Sequence, residues 1–154
     1  MQSPEHSTPS EVEFVTFFTG GQSFSMDIRQ VREIRRWSPV TPLPHAPEEV
    51  LGVMNLRGSV IPIFDLSVRF GLGPTRDNPR NVVVIAACDN QTVGLLVESV
   101  SEILSVSPDR IQETPDLRND NSRQSIIGVI PVEDGMTRVI DLGAVIQSER
   151  RPPQ

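Results

Sequence analysis

The sequence predicts an all-β protein made of two related halves, and three observations carry that reading. Proline (14 residues) and glycine (10) interrupt the chain often. The segments between them are short and rich in Val, Ile and Phe, and several alternate apolar with polar residues as half-buried strands do. The second half also repeats the first. Displaced by 69 residues, Gln22, Val31, Glu33 and Ile34 fall on Gln91, Val100, Glu102 and Ile103, and Phe24, Met26 and Ile28 fall on Val93, Leu95 and Val97. Displaced by 76, Gly52-Val53 falls on Gly128-Val129, and Asp65-Leu66 falls on Asp141-Leu142.

The elements follow in order. Strands are expected over Glu13–Thr19, Ser23–Ile28, Val31–Arg36, Gly52–Leu56 and Val60–Phe64 in the first half. In the second half they are expected over Val82–Ala87, Thr92–Val97, Val100–Val106, Ile126–Val132 and Thr137–Ile140. Short strands with Gly or Pro turns between them suggest a sandwich or small barrel. Helical periodicity is weak, and one turn each is expected at Leu66–Phe70 and Leu142–Ile146, with Asp65 and Asp141 as N-caps. The change of displacement reflects a longer polar loop, Glu113–Gln124, in the second half. The domain is expected over 12–147, its halves at 12–70 and 81–147 joined by the linker Gly71–Arg80. Residues 1–11 and 148–154 read as a disordered and a flexible tail. Units of roughly 60 residues are marginal alone, so the halves should share a hydrophobic interface across a pseudo-two-fold.

Composition excludes several classes of function. Twenty Asp+Glu against 14 Lys+Arg give a net charge of −6, contrary to what phosphate binding requires. Lys/Arg runs are too short for a polybasic membrane patch, and no apolar segment approaches the ~20 residues of a membrane span. Met1–Glu11 lacks the apolar core of a secretory signal. Cys88 reads as a small buried hydrophobe in a reducing compartment, and His6 and His45 as exposed loop residues, so no metal site is expected.

One enzyme reading arises from the repeat. Asp65-Leu66-Ser67 and Asp141-Leu142-Gly143 place an aspartate in each half, as aspartic proteases do. The leucines supply no hydroxyl to hold a dyad, and two helix caps repeated by duplication are the simpler account. Phosphate loops, Cys–His pairs and nucleophile elbows are lacking. The absence of tyrosine and the single tryptophan argue against a stacking platform for bases or sugars. What remains is a binding protein.

Residues 26–66 then carry a resemblance. Met26-Asp27-Ile28, Val31-Arg32-Glu33-Ile34 and the run from Gly52-Val53-Met54-Asn55-Leu56-Arg57-Gly58 through Ile61-Pro62-Ile63-Phe64-Asp65-Leu66 resemble the CheW domain. That family's pattern is D-I-x-x-V-x-E-I followed by G-x-x-N-L-R-G-x-x-[IV]-P-[IV]-x-D-L. The resemblance spans about residues 12–147. It implies two SH3-like five-stranded β-barrel subdomains with short helical turns, no catalytic activity and no cofactor. It further implies an adaptor coupling the membrane-distal tip of chemoreceptors to the regulatory domain of a CheA-type histidine kinase, cytoplasmic and recruited to receptor arrays. An adaptor of a non-flagellar chemosensory system is the alternative.

The resemblance makes Val31, Glu33, Ile34, Gly52, Asn55 and Arg57 a receptor-binding groove. Residue by residue, other readings stay open. Arg57 is either a solvated turn cation or a guanidinium paired with Glu33. Its counterpart in the second half is Glu133, so the arginine serves one face of the molecule. Glu33 is a guard against edge-to-edge strand pairing or part of the groove. Gly52 relieves backbone strain or permits close approach. The kinase-facing surface is expected at barrel ends and strand edges, where Ile85 and Leu96 are equally candidates for the core.

Overall fold

A computed structural model describes residues 11–113 and 125–150. Its strands are β1 (Val12–Thr19), β2 (Gln22–Asp27), β3 (Val31–Arg36), β4 (Val50–Leu56), β5 (Ser59–Asp65), β6 (Val82–Cys88), β7 (Gln91–Val97), β8 (Ser99–Val106), β9 (Ile126–Val132) and β10 (Gly135–Ile140). The expected strands all form, with ends moved by a residue or two. They build two five-stranded sheets, ordered β8-β1-β2-β10-β9 and β3-β6-β7-β5-β4.

The chain does not divide at the linker into one sheet per half. The first hairpin of each half crosses into the other half's sheet: β1 and β2 pair with β8 and β10, while β6 and β7 pair with β3 and β5. The expected subdomains 12–70 and 81–147 are therefore corrected to two interleaved sheets. The physical reason is burial. A half-length unit closes too little apolar surface by itself, whereas exchange makes each half complete the other's sheet.

The repeat holds down to register. Equating β1–β5 with β6–β10 converts either sheet order into the other. Parallel pairing sets Val139 opposite Ser25 in one sheet and Ile63 opposite Gly94 in the other. These pairs coincide under the displacements of 76 and 69 seen in the sequence.

Side chains from both sheets meet in the largest core cluster, which holds Phe17, Phe24 and Met26 from one and Phe64, Val84 and Leu95 from the other. Each of these is almost wholly buried, and burying one such side chain stabilises by about 1.5–3 kcal/mol. The ring of Phe24 stacks on that of Phe70 at 4.8 Å. Two smaller clusters lie on the other faces. Met54, Ile61, Ile63, Val83, Ile85 and Leu96 fill the second sheet, and Phe14, Val106, Ile130 and Val139 the first. Ile85 and Leu96 are thus core residues.

Helices α1 (Leu66–Arg69) and α2 (Leu142–Arg150) follow β5 and β10. The longer α2 corrects the expectation of a single turn and a flexible tail from 148, because the helix continues to Arg150. Residues 151–154, the N-terminal tail up to 10 and most of the polar loop (114–124) lie outside the described residues. Buried Arg69 donates from a terminal guanidinium nitrogen to the buried Ser125 hydroxyl at 2.7 Å, tying α1 to the start of β9. Burial lowers the pKa of this guanidinium, and the charge of Glu49 opposes that shift.

Gly52 and Gly128 occupy matching places for one steric reason. After β3, Thr41 exchanges backbone hydrogen bonds with Val53 of β4, and Gln112 does so with Val129 of β9. A Cβ on Gly52 would run into the Thr41 carbonyl, and one on Gly128 would stand 2.6 Å from the Gln112 oxygen. Gly52 also has φ +151, which disfavours side chains. We predict that Gly52→Ala lowers the free energy of unfolding by at least about 2 kcal/mol, measured by urea titration. Gly58→Ala, where φ is also positive but no atom lies nearby, should cost less.

Candidate functional site

β3 and β4 are the two edges of the second sheet, and β5 lies beside β4. The tight β4–β5 turn is set by Arg57 and Gly58, both at positive φ (52° and 90°), as a two-residue hairpin loop of the I′ kind requires. Asn55 fixes the turn, its side-chain oxygen accepting the Gly58 N–H at 3.0 Å. From there the Arg57 guanidinium reaches across to the other edge and donates to Glu33 in a charge-assisted hydrogen bond. Arg35, two residues along β3, donates to the second Glu33 oxygen at 3.1 Å. One carboxylate is therefore held by two arginines, Arg35 from its own strand and Arg57 from across the seam between the sheet's edges.

This ion pair lies at the surface. The side chain of Arg57 is 68% exposed and that of Glu33 is 30% exposed. Hydrogen bonding to Arg57 first, and then to Arg35, holds the Glu33 carboxyl below the ordinary glutamate range. An exposed ion pair contributes little to stability. Its fixed geometry and charge are better suited to recognition.

Of the six predicted groove residues, Glu33, Asn55 and Arg57 converge here. Val31 is separated from them by a β-bulge, since the β3–β6 register shifts between Val31 and Glu33. Val31 lies opposite Ala86 and packs on the shared core, whereas Glu33 lies opposite Ile85 on the other face. Simple alternation along β3 would have put Val31 and Glu33 together, and the bulge parts them. Ile34, opposite Val84 and 44% exposed, belongs with Val31's face. The close approach at Gly52 is to this chain's own Thr41. Arg35 was missed by the sequence reading, although a position two residues from Glu33 on a strand shares its face.

The remaining candidates have structural partners. Asp65 is buried and caps α1, accepting from the Ser67 N–H (3.1 Å), the Thr75 N–H (2.9 Å) and the Thr75 hydroxyl (2.6 Å). Asp141 accepts the Ala144 N–H at 3.3 Å, and no hydrogen bond joins the two aspartates among the described residues. The two carboxylates do not form a protease-like dyad. Cys88 is half-buried at the end of β6 rather than fully enclosed. Burial, and then the charges of Asp89 and Asp141, push its thiol pKa up, away from thiolate reactivity. His45 is exposed, and no helix among the described residues is long and apolar enough to cross a membrane.

Fold and site together define a double-sheet β protein that carries an oriented ion-pair cluster on its surface. Comparison with known proteins gives the family. The model of the CheW-like domain matches residues 13–150, and the chain belongs to that family. It is 45% identical to a chemotaxis protein CheW of Rhizobium meliloti, over 96% of this chain and 95% of that protein. It is 30% identical to the chemotaxis protein CheW of Klebsiella aerogenes, over 89% and 82%. The crystal structure of a scaffolding protein, TtCheW from Thermoanaerobacter tengcongensis, superposes with a TM-score of 0.81 at 28% identity, covering 92% of this chain and 91% of that one.

The depressed Glu33 pKa has a definite sign. Its contribution to stability is fully present above the unfolded-state value and is lost as pH falls through the lower folded value. Arg57→Ala should move the Glu33 pKa upward towards the ordinary glutamate range. A side-chain carboxyl NMR titration measures this, and an unmoved midpoint would show that the ion pair does not persist in solution.

Proposed function

We propose that this chain is a non-catalytic chemotaxis adaptor that couples chemoreceptors to a CheA-type histidine kinase. The observation that carries the reading is the Glu33–Arg57–Arg35 arrangement, an exposed, oriented charge set present in one half of a repeated fold. In the other half Glu102 and Glu133 stand where Glu33 and Arg57 stand, so like charges replace a pair. Fold maintenance alone does not account for that difference, whereas binding of one partner at one face does. Family membership supports the adaptor role, and the curated relatives named above are chemotaxis proteins.

In this reading the receptor tip contacts the Arg57 turn and Glu33, with Asn55 holding the turn rigid. Val31 and Ile34, on the other face of β3, belong to a separate contact or to the core. The regulatory domain of the kinase binds elsewhere, and the protein acts in the cytoplasm, drawn to receptor arrays by these two partners. Having no reaction to perform, it changes kinase output by fixing where its partners sit relative to one another.

Calorimetric titration with a kinase regulatory domain and with a receptor hairpin fragment tests this. Each should give saturable one-to-one binding. Arg57→Glu should weaken receptor binding about tenfold or more (roughly 1.4 kcal/mol) while leaving kinase binding within about twofold. Its stability should stay within about 1 kcal/mol of the parent. Unfolding of the variant would make Arg57 structural, and unchanged receptor binding would remove the groove from the interface.

A further inference from the structure

The two sheets correspond strand for strand, yet their separate cores are unequal. In the second sheet Trp37, Val40 and Leu51 pack against the cluster of Met54, Ile63, Val83 and Leu96. Displacement by 69 puts Val106 where Trp37 stands, and displacement by 76 puts Ile127 where Leu51 stands. Thr16, Asp27 and Thr137 likewise replace Ile85, Leu96 and Ile61. The first sheet is thus short of one indole and several aliphatic side chains. On this sheet lies a cavity of about 250 Å³, walled by Val12, Phe14, Ile111, Ile127 and Val139, and Asp27 lines it where the second sheet has Leu96. Ile127, a large apolar residue, is 57% exposed there.

A second difference falls at the same place. Asp141 lines this cavity. Its counterpart Asp65 is buried, with both oxygens engaged by Ser67 and by Thr75 of the linker. Asp141 is half-buried and receives only a long 3.3 Å bond from Ala144, on one of its two oxygens, among the described hydrogen bonds. Asp27 also lines the cavity, but the exposed Arg29 already holds its carboxylate. An apolar hollow with an available carboxylate beside it suits one kind of group, a bulky apolar side chain next to a cation.

We propose that this cavity is a docking socket for a partner protein's segment presenting a large apolar side chain, aromatic by size, with a lysine or arginine beside it. The walls of Phe14, Ile127 and Val139 take the apolar group, and Asp141 takes the cation. The socket is distinct from the Glu33–Arg57 surface, which lies on the other sheet.

Titration of the full isotope-labelled chain with the end-blocked tripeptide Lys-Trp-Lys, followed by amide NMR, tests the proposal. Saturable shifts are expected at and around Phe14, Ile127 and Val139. Ile127→Trp, which fills the cavity from within, should abolish them. Asp141→Asn retains a residue able to cap α2 and should weaken binding about threefold, the size of an exposed ion pair. Absence of saturable shifts, equal binding of end-blocked Glu-Trp-Glu, or shifts that survive Ile127→Trp in a folded variant would each overturn the socket. Binding that appears only after removal of residues 1–10 would overturn it too, assigning the cavity to the chain's own N-terminal segment.

Discussion

Two short parallel pairings, β2 with β10 and β5 with β7, are the constraint on which the rest of the molecule depends. Each joins a strand of one half to a strand of the other, and no single half can supply both partners. Each antiparallel hairpin forms from neighbouring residues, but a lone hairpin is at best marginally stable in water. Stability therefore comes from the exchange. It places Phe17, Phe24 and Met26 against Phe64, Val84 and Leu95 in one cluster that neither sheet owns. Arg69, reaching from α1 to Ser125 at the start of β9, is a further tie between the halves.

Because the halves share one framework, comparing them separates what the fold needs from what it does not. Gly52 and Gly128 are both glycine because a backbone carbonyl passes over each. Asp65 and Asp141 are both aspartate because each begins a helix after its sheet's parallel strand. The backbone bonds Asp65 N–H to Glu49 and Asp141 N–H to Ser125, each 2.7 Å, match as well. Against that background Arg57 and Glu133 differ in sign at one position of one hairpin. A turn needs a permissive backbone and a soluble side chain, which either residue provides. The arginine's charge is held by Glu33 and stays exposed at the surface.

The repeat, the ten strands and both helix starts were legible in the sequence because each rests on local signals: alternation, turn residues and caps. Strand exchange was not. Which hairpin completes which sheet is decided by burial between distant segments, and two self-contained halves satisfy the same pattern of alternation. The faces of β3 were misread for a related reason. A bulge at Arg32 breaks the two-residue period without leaving a glycine or proline to mark it. Gly52 looked like a place of close approach, and it is one, though the approaching atom belongs to Thr41. The pairing of Arg57 with Glu33 was legible as chemistry, whereas the part of Arg35 depended on the register of the strand.

The polar interior of the first sheet follows from the same divergence. Ser23 and Ser25 both lie 2.8 Å from the Thr137 hydroxyl, and Thr16 exchanges hydrogen bonds with the backbone of Glu102. Hydroxyls buried this way are satisfied and cost little, but Thr16 and Thr137 bury less apolar surface than Ile85 and Ile61, which match them in the second sheet. The second sheet is therefore the better-packed anchor, with its edges held together at Glu33 and Arg57. The first sheet relies more on what it shares with its neighbour, through Phe17, Phe24, Met26 and Ile140. A scaffold with one firmly packed sheet and one less filled can hold the Glu33–Arg57 geometry on the packed second sheet, while the first sheet has room to accept a side chain from outside.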